Sequence, residues 1–369
     1  MPTSSVARLA RYEARLAHPG PHEAALAAEL VEVLRSIQQQ TWDDEGHGLR
    51  AVHAKSHGLL QATLEVDDGL PPELAQGLFA APGRYDAIVR LSTTPGDLLA
   101  DAVSTPRGFA VRIHGVSGEC LEGADPLHVQ DFVMVNGPHF SAPDGKAFLR
   151  SLKLLAATTD RMDRTKRLVS AILRGTERGL EALGGESATL KALGGEPPHH
   201  LLGETFFTQL PLRYGEYIAR LQLVPVSPSL RALSGVRLDL AHADALREAV
   251  VAFFRDDGAE WDLRVQLCTS LEEMPVDDAS ADWDQTRSPF RTVARLIAGP
   301  QLGWSEELSR QIDDGIGFSP WHGLAAHRPL GEIMRLRKPA YAASQAFRMQ
   351  RNGPPVQGGC PVGSARVAR

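Results

Sequence analysis

Cysteine is scarce: 369 residues hold three, Cys120, Cys268 and Cys360, far apart and odd in number. No CxxC pair is present, which excludes a disulfide scaffold and a thiolate metal cage and predicts a reducing compartment. No apolar run approaches the roughly eighteen residues of a membrane span. The opening Met1-Pro2-Thr3-Ser4-Ser5 has no apolar core, so the expectation is a cytoplasmic chain without a signal peptide. A block of one charge sign is lacking too. The net charge of −6 is spread over both signs, which argues against nucleic acid as the partner. No internal repeat or low-complexity block stands out. What remains is an ordinary globular composition with length enough for a large core.

Hydrophobic spacing divides the chain into an N-terminal helical arm (1–45), a body (46–352) and a flexible Gly/Pro tail (353–369). Leu26, Leu30, Val33 and Ile37 recur at three and four, predicting a helix over 22–40 that packs on the body or on a neighbouring subunit. Alternation predicts strands at Leu59–Val66, Tyr85–Ser92, Gly108–His114 and Phe132–Asn136, an antiparallel sheet closing toward a barrel. Helical spacing follows over 144–195, with Leu168, Ile172 and Leu173 in its second half. Strands return at Thr205–Leu212, Tyr217–Val224 and Trp261–Cys268, with a helix around Ala241–Phe254. The Pro- and Asp-rich stretch 271–303 reads as an irregular wrapping segment that keeps Trp283, Phe290, Val293 and Leu296. The chain is helical again after Pro329. The fold class is α+β.

Within that last helix, Arg337, Tyr341, Arg348 and Asn352 are spaced by four, seven and four and form one stripe. A tyrosine between two arginines suits a partner that is anionic and also takes a phenolate. Iron porphyrin is both, because tyrosinate can be an axial ligand and propionates need guanidinium partners. A surface arginine helix with an interfacial tyrosine is the plainer alternative, and the stripe alone favours it.

Other blocks change the balance. Arg50-Ala51-Val52-His53-Ala54-Lys55 resembles the distal-histidine motif of the haem catalases. Val89-Arg90-Leu91-Ser92-Thr93, with Asp101 and Thr105-Pro106-Arg107-Gly108-Phe109-Ala110-Val111, resembles that family's next block. Asp131 through Phe140 with Phe148, then Glu260-Trp261-Asp262-Leu263, then Phe318-Ser319-Pro320, are similar to its later landmarks. Arg337-x3-Tyr341-x6-Arg348-x3-Asn352 resembles its proximal ligand helix. The blocks are collinear from about residue 50 to 352, and the short, catalase-related peroxidase branch is the nearest likeness.

The resemblance implies an eight-stranded antiparallel β-barrel with surrounding helices, carrying haem b. Tyr341 would be the iron ligand, held as phenolate by the metal and by Arg337 one turn away. His53 would be the distal acid–base group, with Ser92 on its other nitrogen and His57 as a weaker competitor. Arg50, Arg90 and Arg348 would hold the propionates, and Phe148 would pack on the porphyrin face. The implied activity is a catalase or peroxidase acting on H2O2 or an organic hydroperoxide through a ferryl state, with a second peroxide or an organic electron donor as reductant, in a homodimer or larger assembly. A fatty-acid hydroperoxide isomerase of the allene oxide synthase type is an alternative; its branch carries Thr after the distal His, where Ala54 stands here. A non-catalytic haem-binding protein is another, disfavoured because mere binding has no use for His53 with Ser92.

The departures from the family pattern concern the distal side. Aligning Asp131 and Pro138 without a gap leaves Val135 where the family places the Asn that orients peroxide; a one-residue bulge would bring Asn136 there instead. Thr94 stands where a small apolar gate residue is usual, while Asp101 of the channel is kept. Pro339, two residues before Tyr341, is expected to start or kink the ligand helix.

Overall fold

The computed structural model describes residues 9–122, 128–159 and 196–353. Nine strands build one antiparallel sheet: β1 (Ser56–Val66), β2 (Gly83–Thr93), β3 (Arg107–His114), β4 (Val129–Val135), β5 (Phe206–Phe207), β6 (Leu212–Tyr214), β7 (Tyr217–Pro225), β8 (Ala259–Leu267) and β9 (Arg291–Ala298). Their order is β5-β4-β3-β2-β1-β9-β8-β7-β6, and β5 also pairs with β7. That second pairing closes eight strands into a barrel and leaves β6 as the hairpin partner of β7. The expected eight-stranded barrel is present.

Alternation decides which side chains enter it. Val89 and Leu91 of β2, Phe109, Val111 and Ile113 of β3, and Phe132 and Met134 of β4 fill the interior with Trp261 and Phe206. Phe109 lies 5.2 Å from the Phe206 ring and 5.5 Å from that of Trp261, so the interior is packed and offers no room for a ligand. The neighbouring residues Arg90, Ser92, Gly108, Ala110, Val133 and Val135 therefore project from the barrel's outer face.

Three helices pack together beside that face. These are α1 (Glu23–Glu45), α2 (Gly145–Thr159) and α4 (Glu332–Asn352); a fourth, α3 (Ala245–Asp256), lies between β7 and β8 in sequence. Leu30, Leu34 and Ile37 of α1, Leu149 and Leu152 of α2, and Leu336 and Ala340 of α4 form one buried cluster with Ala51. The Asn352 side chain accepts from Gly48 N at 2.7 Å and donates to Gly48 O at 2.9 Å. This two-bond dock ties the end of α4 to the stretch just before Arg50.

Several sequence expectations need correction. The stretch 271–303 is not irregular throughout, because β9 lies in it and pairs with both β1 and β8. Its acidic turns mask a strand whose alternation, Ala294, Leu296 and Ala298 inward after a bulge at Val293, is short. The strand expected at Thr205–Leu212 is two short strands broken at Gln209, which has φ of 60°. Pro339 does not start α4, which begins at Glu332 and runs on to Asn352. The helical expectation beyond residue 159 and the tail from 354 lie outside the described residues.

Candidate active site

Between the barrel's outer face and the three helices is a cavity of about 620 Å³, lined by Arg50, His53, Arg90, Ser92, Asn136, Phe148, Arg337, Tyr341 and Arg348 among others. These nine residues, singled out in the sequence, reach one space from segments up to three hundred residues apart.

The barrel supplies one wall. His53 follows the 47–51 loop in the left-handed region, φ 56°, a conformation histidine adopts more readily than most residues but that must be held. Its N–H donates to Thr94 O at 2.7 Å, and Arg90 Nη2 donates to its carbonyl at 2.9 Å and to Ala54 O at 3.1 Å. Its Nδ1 is 3.1 Å from Ser92 Oγ, which leaves Nε2 for the cavity. Burial, reinforced by Arg90, Arg337 and Arg50, pulls the imidazole down to about 3, so it is neutral at physiological pH. Gly108 makes the pair possible: a Cβ there would lie 2.6 Å from His53 Nδ1 and 2.8 Å from Ser92 Oγ. His57 is fully buried, with Nε2 3.1 Å from Thr93 Oγ1, and does not line the cavity.

The α4 helix supplies the opposing wall. Arg337 Nη2 donates to Tyr341 Oη at 2.7 Å, with its guanidinium carbon 5.3 Å from the ring centroid. The one-turn spacing read in the sequence thus produces a phenol oxygen held against a permanent cation. Phe148 of α2 stacks edge-on against Phe140 at 5.0 Å and adds an apolar surface.

At the edge of the cavity the three remaining arginines converge on Asp313, a residue the sequence reading missed. Asp313 lies on a π-helical turn, Ser309–Asp314. Its carboxylate accepts from Arg90 Nε at 2.5 Å, Arg50 Nη1 at 3.3 Å, Ser56 Oγ at 2.7 Å and Ser309 Oγ at 2.8 Å. Its carbonyl accepts from Arg348 Nη1 at 2.6 Å. Burial opposes the carboxylate, but Arg90 and Arg50 outweigh it and hold the group at about 2. The only hint in sequence was the acidic pair Asp313-Asp314 a few residues ahead of Phe318.

Asp313, even with the neighbouring Asp314, does not balance three guanidiniums. Burial, then Arg90 and Arg348, lowers Arg50 well below the usual arginine range; burial and then Arg90 bring Arg348 down to about 10. Arg348 Nε is buried without a hydrogen-bond partner. A buried donor and a surplus of positive charge both call for an added anion, and the two carboxylates of a haem b would meet that demand. The residues present fit the group.

The remaining expectations divide. Asn136 lines the cavity, yet its amide is committed: Oδ1 accepts from Arg107 N at 2.9 Å, and Nδ2 donates to Glu196 at 2.8 Å and Glu204 at 2.6 Å. Val135, its neighbour, also lines the cavity. Thr94 does too, its hydroxyl turned to Pro106 O at 2.9 Å. Asp101 is not a channel residue here, because Lys55 Nζ and Leu246 N bind its two oxygens at 2.8 and 2.7 Å, away from the cavity. The pair anchors α3 to the strand region instead.

No protein-family profile matches the sequence, and no curated protein is similar to it in sequence. Solved structures are similar in fold. A fungal catalase superposes with a TM-score of 0.59 at 18% identity, over 87% of this chain and 63% of that one. Catalase A from Saccharomyces cerevisiae gives 0.58 at 16%, over 87% and 65%. A bacterial catalase gives 0.56 at 18%, over 90% and 65%. The chain has the catalase fold and spans less than two thirds of the length of these relatives.

Proposed function

We propose that this chain is a haem-dependent hydroperoxidase that binds haem b without a covalent link and acts on H2O2 or an organic hydroperoxide. The observation that carries the reading is one cavity with the His53–Ser92 pair on its barrel wall and the Arg337–Tyr341 pair on its helical wall. Tyr341 Oη would hold the iron as phenolate, with Arg337 stabilising its charge. Arg50, Arg90 and Arg348 would receive the propionates, and Phe148 would cover the porphyrin face. Among the described residues no cysteine lines the cavity, in keeping with a non-covalent group.

When bound, haem would supply the two electrons that reduce a hydroperoxide as its O–O bond is cleaved, and a second peroxide or an organic donor would return them. The proton is handled by the chain. With Nδ1–H given to Ser92 Oγ, His53 Nε2 carries a lone pair, accepts the proton of the hydroperoxide O–H and returns it to the leaving oxygen. A neutral imidazole is the correct starting state. The Asn136 amide, committed to Arg107, Glu196 and Glu204, is not free to steer a peroxide. We expect turnover of H2O2 alone to be slower than turnover with an organic hydroperoxide or an organic electron donor.

The test is reconstitution with haem, followed by parallel rates for H2O2, an organic hydroperoxide and a peroxidase donor in the wild type and in His53→Ala. Haem uptake with His53-dependent turnover is expected. Absence of a Soret band after reconstitution refutes the cofactor; haem uptake with turnover indifferent to His53 refutes the mechanism.

A further inference from the structure

His53 rests on a row of residues that runs across neighbouring strands. Ser92 of β2 stands directly opposite Gly108 of β3, and Gly108 stands opposite Val135 of β4. Residues paired in this way point to the same face of a sheet, here the barrel's outer face. Ser92 Oγ lies 3.1 Å from His53 Nδ1. A Cβ on Gly108 would lie 2.6 Å from Nδ1 and 2.7 Å from Cε1, so this edge of the ring sits over the glycine. Nε2 adjoins Cε1. The next side chain in the row, roughly 5 Å further along, is the isopropyl group of Val135, which is partly buried and lines the cavity.

The polar side chains that flank the row are turned into the protein. Thr94 donates to Pro106 O at 2.9 Å. The Asn136 amide, next in sequence to Val135, is taken up by Arg107, Glu196 and Glu204. Beside Nε2, this part of the barrel wall therefore presents apolar surface to a hydroperoxide. In the reading above, Nε2 returns the proton to the leaving oxygen, which brings that oxygen within reach of both Nε2 and Val135. The leaving oxygen carries hydrogen in H2O2 and carbon in an organic hydroperoxide. Against Val135 an O–H loses water and gains no acceptor, whereas an alkyl group exchanges water for apolar contact.

We propose that Val135 is the specificity-determining residue of this site and that its substrates are alkyl or aralkyl hydroperoxides, whose carbon group packs on the valine while Nε2 moves the proton. The inference rests on the hydroperoxidase reading and narrows it. The O–O bond of ROOH breaks, and the proton that Nε2 takes from the terminal oxygen leaves on the alcohol ROH. The terminal oxygen becomes water with two electrons and two protons from an organic donor, so that ROOH and AH2 give ROH, water and A.

The test compares cumene hydroperoxide with H2O2, at one concentration of organic donor, in the haem-loaded wild type, Val135→Asn and Val135→Thr, the last of which keeps the shape of valine. The wild type should favour cumene hydroperoxide by about tenfold or more in kcat/KM. Both variants place a hydrogen-bonding group beside Nε2, so that ratio should fall by roughly tenfold at unchanged haem content. Fluoride binding to the ferric form, read from its absorption spectrum, checks the same point without turnover. A donor beside the bound anion should tighten fluoride several-fold in the variants. A wild type that prefers H2O2, or a substrate ratio and fluoride affinity equal in wild type and both variants, overturns this inference alone. Absence of a Soret band in the wild type overturns the hydroperoxidase reading on which it rests.

Discussion

Replacing Asp313 by Asn separates the apo protein from the haem-bound one. The carboxylate accepts from two guanidinium groups and two hydroxyls, and its side chain is 13% exposed. Asparagine keeps the shape and removes the charge, leaving Arg50, Arg90 and Arg348 facing one another. Breaking a buried ion pair by removing one partner costs about 3–5 kcal/mol. At about 2 °C per kcal/mol for a chain of this size, the apo protein should lose roughly 6–10 °C in Tm. Two propionates would supply the missing negative charge, so the haem-loaded variant should lose much less, and haem should stabilise the variant more than it stabilises the wild type. The assay is thermal unfolding of both proteins with and without haem. An equal loss in both forms would show that the propionates do not meet these arginines, and the reading of the cluster would fall.

Four further outcomes follow from the same geometry. Tyr341→Phe should fold, losing about 1–2 kcal/mol with the Arg337 hydrogen bond, but should not give the ferric tyrosinate spectrum expected of the haem-loaded wild type; an unchanged spectrum after haem loading removes Tyr341 as ligand. His53→Ala should keep haem and lose hydroperoxide turnover by roughly 10²–10⁴-fold. Gly108→Ala should push His53 off Ser92 and lower turnover by about tenfold or more at constant haem content, the equivalent of about 1.4 kcal/mol of barrier; full activity would mean the pair is not needed. The fourth concerns pH. His53, His200 and His327 sit at about 3, 4 and 3, mainly through burial, so the unfolded chain binds more protons than the fold between those values and about 6.5. Apo stability should therefore fall as pH drops through that window, while the rate profile shows no break near 6.5 from His53.

The sequence by itself determined which residues of the candidate site are neighbours within one element. Arg337 and Tyr341 are one helical turn apart, and Arg90 and Ser92 share one face of a strand, so local periodicity alone fixed both pairs as neighbours. The inward alternation of Val89, Leu91, Phe109 and Val111 likewise fixed a sheet with one buried face. What the tertiary structure decided lay between segments. Strand β9 was hidden because its short alternation sits among Pro and Asp turns, and only its pairing with both β1 and β8 shows that it joins the two halves of the barrel. Asp313 gave no periodic signal, since its role comes from a π-helical turn that brings its carboxylate to Arg50 and Arg90 and its backbone carbonyl to Arg348. Asn136 and Asp101 looked like site residues by position. Hydrogen bonds to Lys55 and Leu246 hold Asp101 away from the cavity, whereas Asn136 lines it with its amide bonded to Glu196, Glu204 and Arg107. Which residues can be neighbours within an element is set by backbone geometry; which partner finally takes a polar side chain is set by the packing of whole elements.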